Sequence, residues 1–442
     1  MLQDAQGLNI STDAPNVVEA INRFTAQLIS YGNQADVIFK AVEAEPTNVL
    51  ANAYAATLCL LAETAIAPQH AAPYLQTAQA HLSTATEREI LYVQAIAAWA
   101  QGDIDQALQG HERLTDRYPR DLVALLIGQY HYFYLGKNYH LLRLIEKVFP
   151  ANRENHYLYG MLAFALEQCH RLIEAETAGR QAVAMNRCDP WAHHAIAHVM
   201  ETQGRFAEGI VWMESLADTW EHCGSFFCHN WWHVALFYLE KGDIPNVLEL
   251  YDTHVWGRAI QTYSQCHLDA ISLLLRLELA GSAMGEPMRE ILHERWQALG
   301  RCLSDRIHDH IFPLIDVQYV YALERSGQPD QADELINSLR CYATKVHPIQ
   351  QYTWATVALP TAQGMVAHAK GRWTEAIAYL EVAYPHFQTI GGSHPQRDLL
   401  QLVYLDALLQ AGECILARDL LTRRVLQRGQ TPVIQAQLLR TH

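Results

Sequence analysis

The chain has 442 residues, half of them hydrophobic and 18% charged, which is ample for a large core and too little charge for a disordered chain. Its formal net charge of −15 repels phosphate backbones, and no polybasic run suits an anionic membrane, so neither nucleic acid nor membrane is an expected partner. The opening MLQDAQGLNISTDAP lacks the basic and apolar regions of a signal peptide, no run of about 18 apolar residues occurs, and nine scattered cysteines without a CxxC fit a reduced, cytoplasmic protein.

The predicted elements follow a ladder of turns. A loose hairpin turns at Gly32, and one without glycine lies near Ala53–Glu63. EILYVQAIAAWAQGDIDQAL ends its first helix at Gly102, and LVALLIGQYHYFYLGKNYHLL ends its own at Gly136, 34 residues on. Gly204 lies a further 68 residues on, and the missing rung falls at His170. A period of 34 is that of the tetratricopeptide repeat, one helix-turn-helix per unit. In Asp189–Leu216, Gly204 at repeat position 15 puts Ala197 at position 8 and Gly209 at position 20, where the repeat needs small residues. Asp189-Pro190 supplies the helix start. HNWWHVALFYLEKGDIPNVL turns at Gly242, and looser units follow at Gly281, Gly327, Gly371 and Gly412. Spacings there stretch to 38, 39, 46, 44 and 41, so later units carry longer helices or loops. Loops are expected at Gly281–Pro287, Ser304–Pro313 and Gly391–Pro395. The fold expected is all-α, a right-handed superhelix of roughly eleven TPR-like helical hairpins. It forms one solenoid over residues 1–442, with lobes 1–284 and 285–442 as the alternative division.

In such repeats, positions 2, 5, 9, 12 and 13 of the first helix share the face that lines the groove. They are Trp191, His194, His198, Glu201 and Thr202 in one unit, with His193 in a packing slot. In the next they are His229, Trp232, Leu236, Leu239 and Glu240, with His233 beside them. Upstream, Tyr157, Phe164 and Glu167, then Glu89, Tyr92 and Trp99, take the same face. This groove is aromatic and rich in His and Glu, and poor in the basic and amide donors that clamp a peptide's C-terminal carboxylate.

The pairs His194/His198 and His229/His233 have the i, i+4 spacing of metal ligands. No HExxH and no cysteine at ligand spacing accompanies them, so the expectation is no metal and no cofactor, with zinc or iron as the alternative. Neutral imidazoles beside carboxylates suit acid–base work near neutral pH, and Glu201 is one turn from His198. Asp269, Ser272 and Arg276 share one helix face, either as an internal Asp269–Arg276 pair or as part of a site. Asp316, flanked by apolar residues, is paired or functional. In GGSHPQRDLL, Ser393 or His394 caps a helix with Arg397 and Asp398 in its first turn. That loop either closes the groove into a pocket or is an ordinary capped turn. No phosphate-binding glycine loop and no GxSxG occurs.

DPWAHHAIAHVMETQGR, CHNWWHVALFYLEKGD, YDTHV, the Asp–Ser–Arg helix and GGSHPQRD, in this order, resemble the tetratricopeptide repeat protein 38 family over residues 40 to 425. The resemblance matches Trp191, His194, His198, Glu201, His229, Asn230, Trp232 or its aromatic neighbour, His233, Asp269, Arg276, Asp316, Gln396, Arg397 and Asp398. The chain departs at Gln318, where the family more often has His. Some bacterial relatives resemble products of natural-product pathways, which implies small-molecule tailoring in biosynthesis.

The reading therefore favours a small-molecule enzyme or binder over a scaffold that takes a peptide or partner protein in the same groove. His198, His229 and His233 would transfer protons, with Glu201 and Asp269 orienting them. Trp191 and Trp232 would hold an apolar substrate face, and Arg276 or Arg397 an anionic group. His194, Asp316, His394 and Asp398 complete the ligand-binding set. Hydrolysis, cyclisation and elimination all fit.

Overall fold

The computed structural model describes residues 1–281 and 286–441 and is built of helical hairpins throughout. Its contacts gather into two compact units, one of Met1–Ala195 with His222–Gly224, the other of Ile196–Glu221 with the chain from Ser225 onward. The alternative boundary after residue 284 lies outside the described residues.

The first unit opens with a short antiparallel ribbon, Leu2–Gln3 against Asn9–Ile10, which the helical reading did not foresee. Gly7 turns it, and the Asp4 carboxylate accepts from the Gln6 and Leu8 amides. Five hairpins follow: α1 (Pro15–Ile29) with α2 (Ile38–Ala44), α3 (Val49–Leu60) with α4 (Ala67–Ala80), and α5 (Glu87–Ala100) with α6 (Ile104–Arg117). Then come α7 (Leu122–Tyr134) with α8 (Asn138–Val148), and α9 (His156–Gln168) with α10 (Leu172–Met185). First helices such as α3 and α7 are apolar all round because neighbours cover them on every side. Second helices such as α6 and α8 bury one stripe only. Buried Arg88 ties the ribbon to the hairpins, reaching Asp4 and Asp121 at 2.7 Å each.

The helix α11 (Pro190–Thr202) begins in the first unit and ends in the second. The second unit continues with α12 (Phe206–Glu214), α13 (Ser225–Glu240), α14 (Ile244–Leu250), α15 (Ser264–Ala280) and α16 (Glu286–Leu303). Next are α17 (Pro313–Arg325), α18 (Pro329–Ala343), α19 (Pro348–Tyr352), which runs through a π-helical stretch into α20 (Leu359–Ala369), and α21 (Trp373–Ala383). The last are α22 (His394–Ala411), α23 (Cys414–Arg428) and α24 (Pro432–Leu439). Pairing these in order gives eleven hairpins and a terminal helix among the described residues, as the repeat count predicts.

The ladder works through backbone handedness. Gly102, Gly136, Gly204, Gly242, Gly327, Gly371 and Gly412 all have positive φ at the hairpin turn. His170, at the missing rung, takes the same left-handed conformation at φ 57°, against its intrinsic cost. At the turn read as glycine-free, Glu63 takes the left-handed conformation. Two rungs are corrected. At the first turn Tyr31 rather than Gly32 is left-handed. Gly281 has φ −86°, an ordinary value. The loop predicted at Gly281–Pro287 falls largely outside the described residues. The second unit also folds back on itself: α15 packs against α22, and a Cβ on Gly204 would lie 1.9 Å from the Arg428 carbonyl oxygen at the end of α23.

Candidate functional site

In the second unit, the C-terminal half of α11 carries His198 and Glu201, α13 carries His229, Trp232 and His233, and α15 carries Asp269 and Arg276. All seven are buried. Spacing of three and four along each helix sends these side chains to one face. The His198 and His233 ring centroids are 4.7 Å apart, those of His229 and His233 4.9 Å. Trp232 stacks on His229 at 5.2 Å with 14° between planes. His229 Nδ1 meets Asp269 Oδ1 at 2.9 Å, and Gln265 Nε2 donates to the same oxygen at 2.8 Å. Glu201 Oε2 lies 3.5 Å from His233 Nδ1.

Burial dominates the electrostatics here. It pushes the His233 pKa well below the usual imidazole value, helped by His198, His229 and Arg276. It raises Glu201 to about 7 against the opposing pull of Arg428 and Arg276. It raises Asp269 as well, with His229 and Gln265 acting the other way. Each of these groups therefore leans toward its neutral form.

The GGSHPQRD segment packs on α15. Ser393, not His394, is the N-cap, in a capping box with Gln396. Arg276 Nη2 donates to the Pro395 carbonyl at 2.6 Å and Nη1 to Asp398 Oδ2 at 3.3 Å. Of the two readings of that helix face, the internal pair is not the arrangement found: Asp269 engages His229, and Arg276 engages Ser272, Pro395 and Asp398. Asp398 also accepts from Arg424 and, at 3.1 Å, from Arg428. Burial alone would raise the Asp398 carboxyl, but Arg424, Arg428 and Arg276 together hold it far below the carboxylate range. The Arg397 guanidinium turns to the Gly392 carbonyl and to His394 Nδ1, so it serves the loop's own geometry. A small cleft of ≈ 20 Å³ between Glu240, Arg276, Arg424 and Ile434 has room for a water.

Asp316 lies elsewhere in the unit. His310 Nδ1 contacts Asp316 Oδ2 at 2.6 Å, and His310 Nε2 contacts Ser338 Oγ at 2.7 Å. The order Ser–His–Asp matches that of a hydrolytic triad. Ser338, however, sits within α18, where the neighbouring N–H groups close the helix ladder and none is aimed at a developing oxyanion. His308 also contacts Ser338, at 2.8 Å. The arrangement anchors the 304–312 segment to α18. Gln318 is fully buried, and among the described residues neither of its side-chain polar atoms has a hydrogen-bond partner.

Two predicted residues belong to the first unit. Trp191 Nε1 donates to the Ile29 carbonyl at 2.8 Å, and its ring lies 4.8 Å from Tyr31. His194 stacks on Phe164 at 5.4 Å. This unit's first-helix face is aromatic and accessible: Trp99, Tyr130, Phe133 and Tyr134 are only half-buried. Tyr130 and Tyr134 lie parallel at 6.2 Å, and Phe133 meets Phe164 at 5.8 Å. Burial raises the Tyr130 phenol to about 12.

Sequence reasoning missed Arg424, Arg428, Gln265, His310 and Ser338. The His310–Asp316 spacing of six and the Gln265–Asp269 spacing of four offered local signals. All nine cysteines are free thiols, and no helix among the described residues is long and apolar enough to cross a membrane.

No family model matches the chain. Among solved structures, it is similar to human IFIT1 with m7Gppp-AAAA, at 14% identity and TM-score 0.43, covering 99% of this chain and 96% of that one. It is also similar to a Rap protein complexed with competence and sporulation factor, at 13% and 0.42 over 75% and 99% of the two chains. A tetratricopeptide repeat protein from Parabacteroides merdae matches at 14% and 0.33 over 72% and 98%. The hairpins described above make this chain a TPR-like helical-repeat protein in their own right.

Proposed function

We propose that this chain is a TPR-type binding scaffold that takes an apolar, aromatic-anchored segment of a partner protein on the first-helix face of its first unit. One observation carries the reading. The polar residues expected to work on a substrate are buried, with Asp269, Arg276, Arg397 and Asp398 engaging the chain's own groups, whereas Trp99, Tyr130, Phe133 and Tyr134 are only part-buried. Large, rigid rings of this kind supply interface area at low entropic cost, and they are the usual anchors of binding energy. The face lacks the basic donors that capture a carboxylate, so the partner's side chains rather than its terminus are recognised.

The test is selection of displayed random peptides on the full chain. Enriched peptides should share aromatic or aliphatic anchors. Their affinity should fall by ~10-fold or more in Trp99→Ala and Tyr134→Ala with the melting temperature little changed. Peptides without such anchors, or binding indifferent to both variants, would contradict the proposal.

A second reading, acid–base work on a small molecule, is favoured by the His229–Asp269 contact at 2.9 Å, which orients an imidazole as a base is oriented. Arg276 and Arg397 do not serve it as anion-binding groups, because both are engaged internally. Asp269→Asn with loss of a measured turnover would support it.

A further inference from the structure

We propose that His198, His229 and His233 form a binding site for a divalent transition-metal ion of the zinc type. This goes beyond the scaffold reading and stands without it.

The three rings each offer a nitrogen, and these atoms lie within 4.8 Å of one another. All three side chains are buried, on two helices of the same unit. His229 and His233 are one helical turn apart, so one face of α13 presents both, and His198 on α11 supplies the third direction. His194, one turn before His198 on α11, belongs to the first unit, and the site requires only the three.

The decisive detail is outside the cluster. Asp269 Oδ1 holds the His229 ring at Nδ1, at 2.9 Å, and Gln265 Nε2 donates to the same carboxylate oxygen at 2.8 Å. A carboxylate on one imidazole nitrogen fixes the tautomer in which the other carries the lone pair, and metal-binding histidines are oriented in this way. Packing of His229 against Trp232 accounts for its burial. It does not account for a buried carboxylate placed behind the ring.

The donor set selects the ion. Three neutral nitrogens suit zinc, cobalt, nickel or copper and are poor ligands for calcium or magnesium, which require oxygen. Zinc at ~2.05 Å from each nitrogen in a tetrahedron sets the nitrogens ~3.3 Å apart, so the rings close by up to ~1.5 Å around the ion. Rotation about χ1 and χ2 supplies that movement. Three protein ligands leave a fourth position for water or a small donor ligand.

The test uses the full chain, stripped with chelator and titrated with zinc alone by calorimetry. The expected result is one ion per chain and a raised melting temperature on loading. Binding is lost in His233→Gln and His229→Gln and weakened ~10–100-fold in Asp269→Asn. Absence of stoichiometric binding, or binding undiminished in His233→Gln, would overturn the proposal. Should the glutamine variants unfold, cobalt loading of the wild-type chain decides. A tetrahedral nitrogen spectrum in the visible supports the site, and an octahedral or thiolate spectrum overturns it.

Discussion

Asp398→Asn is the sharpest test of how the second unit is held together. The carboxylate is 4% exposed and accepts from Arg276 at 3.3 Å, Arg428 at 3.1 Å and Arg424. Asparagine keeps the volume and removes the charge, leaving three guanidinium groups facing one another with Glu201, 3.8 Å from Arg428, as a nearby carboxylate. Breaking a buried ion pair from one side costs about 3–5 kcal/mol. The three contacts share one acceptor and do not add, so the same range applies to the whole network. At ~1.4 kcal/mol per tenfold, amide hydrogen exchange in α15, α22 and α23 should accelerate ~10²–10⁴-fold. The pH dependence adds a second check. The folded Asp398 pKa is depressed, so its stabilisation is complete above the unfolded value of ~3.9 and is lost as pH falls below it. The gap between wild type and Asp398→Asn should therefore be constant from neutral pH down to ~5 and shrink below ~4. Acceleration of less than ~10-fold, or a gap that widens in acid, would refute the network as the unit's clasp.

Three further outcomes are expected. Gly204→Ala should destabilise the second unit by ~2–4 kcal/mol, because the methyl meets the Arg428 carbonyl. Gly102→Ala, with an equally positive φ but nothing within 4 Å, should cost only the backbone penalty of ~1 kcal/mol, and urea titration compares the two. His170→Gly should stabilise the first unit by up to ~1 kcal/mol, since glycine relieves a left-handed side-chain residue at φ 57°; a fall in urea midpoint would count against the ladder argument. Burial lowers His111 to about 3, so the folded state excludes a proton that the unfolded chain takes up below ~6.5. Stability from this group is present above that pH and lost below it, and His111→Leu should gain relative to wild type at pH 5 but not at pH 8. Equal differences at both would show that the ring is not kept neutral.

The repeats were legible because their constraints are local. A left-handed turn every 34 residues leaves glycines in register, and even the rung without one keeps the backbone at His170. Gly209 is small because Phe237 occupies its side-chain position, a Cβ there lying 2.5 Å from the ring. The i, i+4 histidines followed from helix geometry alone. What escaped was long-range. Arg276 and Asp398 are 122 positions apart, and no periodicity pairs them. Arg424 and Arg428 on α23 join the network only because the end of α23 comes against Glu201 and Gly204. The groove assignment took as open to a ligand a face where the fold's own later helices engage Arg276. The N-terminal ribbon escaped because two-residue strands carry no alternation to detect.

The most direct test of the scaffold reading is amide hydrogen exchange of the full chain with and without a peptide selected on it. The account predicts protection confined to α5 and α7, around Trp99, Tyr130 and Tyr134. Protection on α11, α13 and α15 instead would contradict it and return the binding surface to the histidine-bearing helices.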